Sequence, residues 1–434
     1  MSYCGFVVEV KELRKHSNAD RLQVATFFGN DTIVDISTKI GDIGIYFPSD
    51  GQLSEEYCKY NDLVRRKDEN GNPVGGYLDP DKRNIKALRL RGEKSDGMFM
   101  PLSSLDYFKH DELNVGDKVD ILNGHEICCK YIPRKNPSKT SERAGNRTRK
   151  KIVPVAPLFK EHADTEQLAY NLESFYPGDL IEITLKIHGT SQRTGYLPIL
   201  KGFKKSLFDI ILCRDGKPVY DWGYVTGTRR TVLDTYNGGF YGDNKFREKH
   251  AEFFKDKLLK GETVYYEVVG WVNENTPIMP KSNTPKEAVK TYGEEMIFTY
   301  GCNPGESKAF VYRMTMTNED GDVVEYSPEF MRYRCEQMGA NVVPLLKRFI
   351  IPFKETIFAM GYDSVGEYVM STAESFYDGP DPIGKTHIRE GVVVRIINRP
   401  KFTAFKHKNW IFKVAEGIAK ENAEAPDIEE SQEV

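Results

Sequence analysis

From residue 5 to about 126, apolar and polar side chains alternate in short runs, FVVEV, LQVATFF, DTIVDIS and GIYFPS, broken by Gly, Asn and Asp. A period of two is what a strand with one buried face requires, and short strands at close spacing predict an all-β barrel or sandwich. From about 155 to 415 the pattern becomes mixed. Residues 248–261 (EKHAEFFKDKLLKG) carry apolar groups at helical spacing and predict a helix stopping at Gly261, and TVYYEVVGWV after it predicts a strand. SPEFMRYRCEQMGANVV repeats the scheme, with a helix closing at Gly339, and AFVYRM, EGVVVRII and FTAFKHK predict further strands. The expectation is an α+β chain: a β domain, then a mixed domain of catalytic size.

Charge divides the chain further. Residues 130–151 (KYIPRKNPSKTSERAGNRTRKK) are rich in Lys, Arg, Ser, Asn and Pro and nearly free of acids, whereas the last twenty or so residues are acidic with few large apolar groups. The expected organisation is a β domain over 1–128, a basic linker over 129–153, a mixed domain over 154–415 and an acidic disordered tail over 416–434. Clustered cations in the linker suit a phosphate backbone; a solvated connector would have the same composition.

With 434 residues, 39% of them hydrophobic, the chain suits two or three ordinary domains. A net charge of -3 argues against a globally basic binder. No apolar run is long enough for a membrane span, and the N-terminus lacks the apolar core and cleavage site of a signal peptide, so a cytoplasmic protein is expected. The seven cysteines, including adjacent Cys128 and Cys129, show no metal-ligand spacing and are expected as reduced thiols.

The chemistry centres on Lys186 in LKIHGTS, at the end of an apolar, β-branched run. A neutral lysine amine is a nucleophile, and neutralising one at pH 7 costs roughly 4.6 kcal/mol against the ordinary lysine pKa near 10.4. Lys406 and Lys408 alternate on one strand and so share a face, where they could help depress that pKa, and Glu267 and Glu390 sit at the edges of apolar strands. Taken alone, Lys186 reads as a surface lysine with a buried stem.

The order is more telling than any single residue. Lys186-x-His188-Gly189-Thr190 is followed by Thr228-Arg229-Arg230, Tyr266-Glu267-Val268-Val269-Gly270, the aromatic strand AFVYRM, Glu390-Gly391 and Lys406-x-Lys408. This series resembles the covalent nucleotidyltransferase superfamily of polynucleotide ligases and RNA capping enzymes. DNA ligases and capping enzymes usually carry Asp where His188 stands, whereas KxHGT and the FKHKN form of the last motif resemble RNA ligases. At the front, VVEVKELRKHSNADRLQVATF, with His16, Asn18, Asp20 and Arg21, resembles the opening of OB-fold tRNA-binding modules. An OB-like β-barrel ahead of the nucleotidyltransferase domain is similar to the fifth family of RNA ligases.

The resemblance implies an ATP-dependent RNA ligase with Mg²⁺ or Mn²⁺, joining RNA 3′-OH and 5′-phosphate ends, such as those of a nicked duplex, in RNA repair, and acting as a monomer. Lys186 would carry AMP; Lys406 and Lys408 would hold the α-phosphate; Arg229 or Arg230 would bind phosphate. Glu267 would meet ribose hydroxyls or metal-bound water, and Glu390 would anchor the metal. The backbone beside Leu185 would read adenine, with Tyr312 stacking above it and Val392 or Val394 packing below; the alternative for Tyr312 and the valines is ordinary core. Thr190 and Ser191 would touch ribose or phosphate or serve only as turn residues, the role of His188 stays open, and Arg395 is a secondary candidate. His162 to Leu168 resembles the segment that precedes the nucleophile in these ligases. Arg65, Arg66 and Lys67 are RNA contacts to test in the first domain. Alternatives are a DNA ligase, a GTP-using capping enzyme, or a non-catalytic RNA- or tRNA-binding protein.

Overall fold

The structure is a computed structural model that describes residues 3–71, 73–109, 111–131, 154–162, 165–206, 216–229, 231–233, 235–236, 241–242 and 244–421. Most of the basic linker, from 132 to 153, and the tail from 422 onward lie outside the described residues. The tail was expected to begin at 416, but Trp410–Glu421 is a helix, which carries order five residues past that boundary. Described residues within 1–133 and 413–423 form one compact unit, and those within 134–412 form the other.

The first unit is built of antiparallel strands. Gly5–Glu9, Ile43–Phe47, Met98–Pro101 and Lys118–Val119 form a four-stranded sheet, and Leu13–Lys15, Leu22–Phe27 and Asn30–Asp35 form a three-stranded meander. Val7, Ile45, Phe47, Leu53, Tyr57 and Leu105 make its core. Among the described residues the strand pairings form several separate small sheets and do not close into a single barrel. His16 is buried and serves the fold: its Nε2 meets the Leu90 carbonyl at 3.1 Å, and its Nδ1 accepts the Asn18 N–H at 3.0 Å. Asn18, Asp20 and Arg21 are exposed on that loop.

Among its described residues the larger unit holds two main sheets and a short two-stranded one, Ser282–Asn283 with Glu295–Met296. The first is five-stranded, in the order Glu166–Gln167, Thr403–Lys408, Gly391–Ile396, Leu180–Lys186, Leu345–Ile350. The second centres on Thr190–Lys204, Glu262–Gly270 and Ser307–Thr317. One face of the first sheet packs Ile181, Ile183, Val392, Val394, Ile396 and Phe405 against the helix Val365–Tyr377.

The helix Pro328–Met338 closes at Gly339 with φ 69°, as its sequence predicts. The helix expected to reach Gly261 instead spans Lys245–Phe254. Lys255 is already extended and Asp256 has φ 63°, so the chain leaves the helix before the glycine. The six described cysteines are free thiols. No helix among the described residues is long and apolar enough to cross a membrane.

Candidate active site

The five-stranded sheet and the sheet centred on Glu262–Gly270 border a cleft in the larger unit. Its floor follows from strand parity. Ile181, Ile183 and Leu185 point into the core, so Glu182, Thr184 and Lys186 take the other face and line the cleft. Register then sets the neighbours: Gly391 stands between Lys186 and Lys408, and Val393 between Thr184 and Lys406. Gly391 has φ 150°, and a Cβ there would lie 2.0 Å from the His407 carbonyl oxygen, so no other residue fits between these strands.

Lys186 Nζ lies 2.7 Å from Glu390 Oε1, and Lys408 Nζ lies 3.6 Å from the same oxygen. The Glu390 side chain is only 2% exposed. Sequence alone suggested an amine surrounded by cations; the structure makes it one half of an ion pair with a buried carboxylate. His188 Nδ1 stands 4.0 Å from Glu390 Oε2, and its ring meets Phe298 and Phe412 edge-on, each at 4.8 Å between centroids. Gly189 lets this turn pass close to the second sheet, since a Cβ would fall 2.4 Å from the Val268 carbonyl oxygen.

On the second sheet Ser191 is paired with Glu267, and both line the cleft together with Tyr312, Arg229 and Lys406. The Ser191 hydroxyl is 3.2 Å from that of Tyr312, whose ring meets His162 edge-on at 5.0 Å. Ala163 and Asp164 of the segment after His162 lie outside the described residues, as does Arg230.

Three sequence expectations need correction. Val392 and Val394 are fully buried in the core, while Val393 and Arg395, of opposite parity, line the cleft. The Leu185 N–H donates to the Pro344 carbonyl at 3.0 Å, so it is committed to the protein itself. Thr190 turns away from the cleft, and its hydroxyl accepts from Arg247 Nη2 at 2.5 Å.

Other residues escaped sequence reading. Arg247 is completely buried, its Nη1 donates to the Ser191 carbonyl at 3.1 Å, and burial pulls its pKa below the usual arginine value. The signal for it was an arginine on the helix stripe otherwise held by His250, Ala251 and Phe254. Glu182, at the far end of the floor, takes both nitrogens of Arg332, at 3.0 and 2.6 Å. Arg395, the secondary candidate already named from the sequence, lines the cleft: its Nη2 reaches Glu325 at 3.3 Å and its guanidinium lies over Phe402, with burial lowering its pKa.

Among the described residues no three His, Cys, Asp or Glu side chains gather as a metal cage. Glu390 Oε2 is buried with no hydrogen-bond partner among them, and Glu267 faces the cleft. Two carboxylates of this kind fit a hard divalent cation that keeps most of its ligands as water and phosphate oxygen.

The arrangement of sheets, cleft and lysines has the fold of known RNA ligase structures. One match is a mutant of Naegleria gruberi RNA ligase with AMP and Mn, at TM-score 0.55 and 15% identity, covering 94% of this chain and 97% of that one. A second mutant of the same ligase, with ATP and Mn, matches at TM-score 0.55 and 15% identity over 96% and 99% of the two chains. A structure of that ligase with PPi matches at TM-score 0.51 and 15% identity over 93% and 96%. No protein-family model matches the chain, and no curated protein matches it in sequence. At this identity the likeness is one of fold.

Proposed function

We propose that this chain is an ATP-dependent RNA ligase that works through a lysyl-AMP intermediate. The observation that carries the reading is Lys186 at the end of the cleft floor, paired with buried Glu390 and flanked by Lys406 and Lys408, in a fold shared with RNA ligase structures containing ATP, AMP and PPi. His188 stands where DNA ligases and capping enzymes usually carry an acid, and the choice of RNA over DNA rests on the fold shared with RNA ligase structures.

The chemistry follows from the site's own groups. Lys186 passes a proton to water and leaves its pairing with Glu390; its nitrogen lone pair then bonds the α-phosphorus as the bond to pyrophosphate breaks and pyrophosphate departs. Lys406 and Lys408 hold the α-phosphate and offset the charge that builds on it. Arg229 binds phosphate, and Tyr312 stacks on the base. With Leu185 committed, the polar side chain of Thr184 and the apolar Val393 form the floor beneath the nucleotide. AMP then passes from Lys186 to an RNA 5′-phosphate, and attack by a 3′-OH seals the strand and frees AMP. A divalent cation held by Glu390 and Glu267 would neutralise phosphate charge. In this reading residues 154–415 carry the chemistry, and the first unit, read as OB-like, positions RNA through exposed Arg65, Arg66 and Lys67.

Incubation with labelled ATP and Mg²⁺ or Mn²⁺ tests the reading. The wild type forms a covalent AMP adduct, Lys186→Ala forms none, and all-RNA nicks are sealed in preference to all-DNA nicks. Labelling by GTP without strand joining points to a capping enzyme. Absence of any adduct, or an adduct surviving in Lys186→Ala, sinks it.

A further inference from the structure

The turn Ile187–Gly189 that follows the nucleophile is not part of a strand, so its amides need partners from elsewhere. The His188 N–H finds one far along the chain, donating to the Tyr300 hydroxyl at 2.6 Å. Tyr300 is 2% exposed, and burial pushes its phenol well above the ordinary tyrosine range, so it stays a neutral hydroxyl.

The tyrosine is itself held by a rigid support. Its φ is 51°, a left-handed backbone uncommon for an aromatic residue, and costly unless its surroundings impose it. The next residue, Gly301, has φ 73°, and Gly384 packs so closely on it that a Cβ there would lie 2.3 Å from the Gly301 nitrogen. Gly384 is fixed by buried Asp381, whose carboxylate accepts the N–H groups of Ile383, Gly384 and Lys385 at 2.8, 2.9 and 2.7 Å. The Tyr300 ring also meets buried His387 edge-on at 4.5 Å. None of these groups lines the cleft, yet they end on the amide two residues from Lys186.

We propose that Tyr300 is the positioning residue of the nucleophile: its hydroxyl, braced by the Asp381 loop, fixes the turn after Lys186 and so fixes where the amine points. The role rests on the adenylyl-transfer reading of Lys186. Attack on phosphorus demands an in-line approach, so a turn free to shift costs rate and leaves nucleotide binding intact.

Tyr300→Phe removes only the oxygen. Single-turnover lysyl-AMP formation should slow about tenfold, as expected for one lost hydrogen bond, with the KM for ATP unchanged. A general loss of structure would move KM and melting temperature together. Hydrogen exchange gives a readout independent of activity: the His188 amide is protected in the wild type and exchanges about tenfold faster in the variant. If the wild type forms no adduct, the ligase reading fails. If it does, and Tyr300→Phe keeps its rate, the positioning role alone is overturned. A His188 amide that exchanges as fast as an open loop in the folded wild type overturns it as well.

Discussion

At the scale of single residues, burial decides which groups act in the cleft and which act on stability. His250 lies on the helix Lys245–Phe254 and meets the Ser307 hydroxyl at 3.0 Å through Nε2. Burial, reinforced by Lys249 and Arg247, lowers its pKa from 6.5 to about 4. Between those values the unfolded chain binds a proton that the folded chain refuses. The contribution is therefore complete above about pH 6.5 and is lost as pH falls toward 4, by about 3 kcal/mol. Denaturant melts of the wild type should show that slope, and His250→Gln should flatten it; an unchanged slope would assign the acid sensitivity to other groups. The sequence placed Lys186, Glu267, Glu390, Lys406 and Lys408 in one region because their order along the chain resembles a known series. It could not disclose that the Leu185 amide is taken, because the partner, Pro344, lies far along the chain, just ahead of the strand Leu345–Ile350.

At the scale of elements, parity is the main source of both success and error. Lys406 and Lys408 share a face because they are two apart on one strand, and sequence suffices for that. The run Val392-Val393-Val394 gives no such guidance, since either face could be the apolar one. Arg395 breaks the tie in the structure: a guanidinium lining the cleft leaves Val393 on its own side and sends Val392 and Val394 to the core. Paired substitutions separate the two faces. Val392→Ala should cost about 2 kcal/mol of stability by leaving a cavity, with ATP affinity little changed. Val393→Ala should do the reverse, weakening ATP binding at nearly constant stability. Equal stability losses in thermal melts would contradict the assignment of faces. The helix that stopped before Gly261 teaches a related lesson: apolar spacing continued past Phe254, but Lys255 and Asp256 had already left helical dihedrals.

For the molecule as a whole, the change in hydrophobic period predicts a β domain followed by a mixed one; it gives no sign that described residues from Lys413 onward group with the first unit. How the small sheets of the first unit pair was not legible either, because strands of two to six residues carry little register information. The proposal that this unit positions RNA has a measurable consequence in salt. Replacing Arg65, Arg66 and Lys67 with Ala should reduce the slope of log affinity against log salt for single-stranded RNA by about 2, while lysyl-AMP formation, chemistry of the other unit, stays as it was. An unaltered slope would remove RNA contact from this face.

The ion pair at the end of the cleft also bears on electroneutrality. Lys186, Lys406, Arg229, Arg332 and Arg395 line the cleft against Glu182 and Glu267, an excess of three positive charges, and Lys408 beside Glu390 adds a balanced pair. In the proposed reaction, bonding of the lysine nitrogen to phosphorus would remove one positive charge and the bound phosphate would bring one negative charge. The excess would then fall from three to one, so the empty site draws in a polyanion most strongly and the loaded site keeps a smaller pull on the next phosphate.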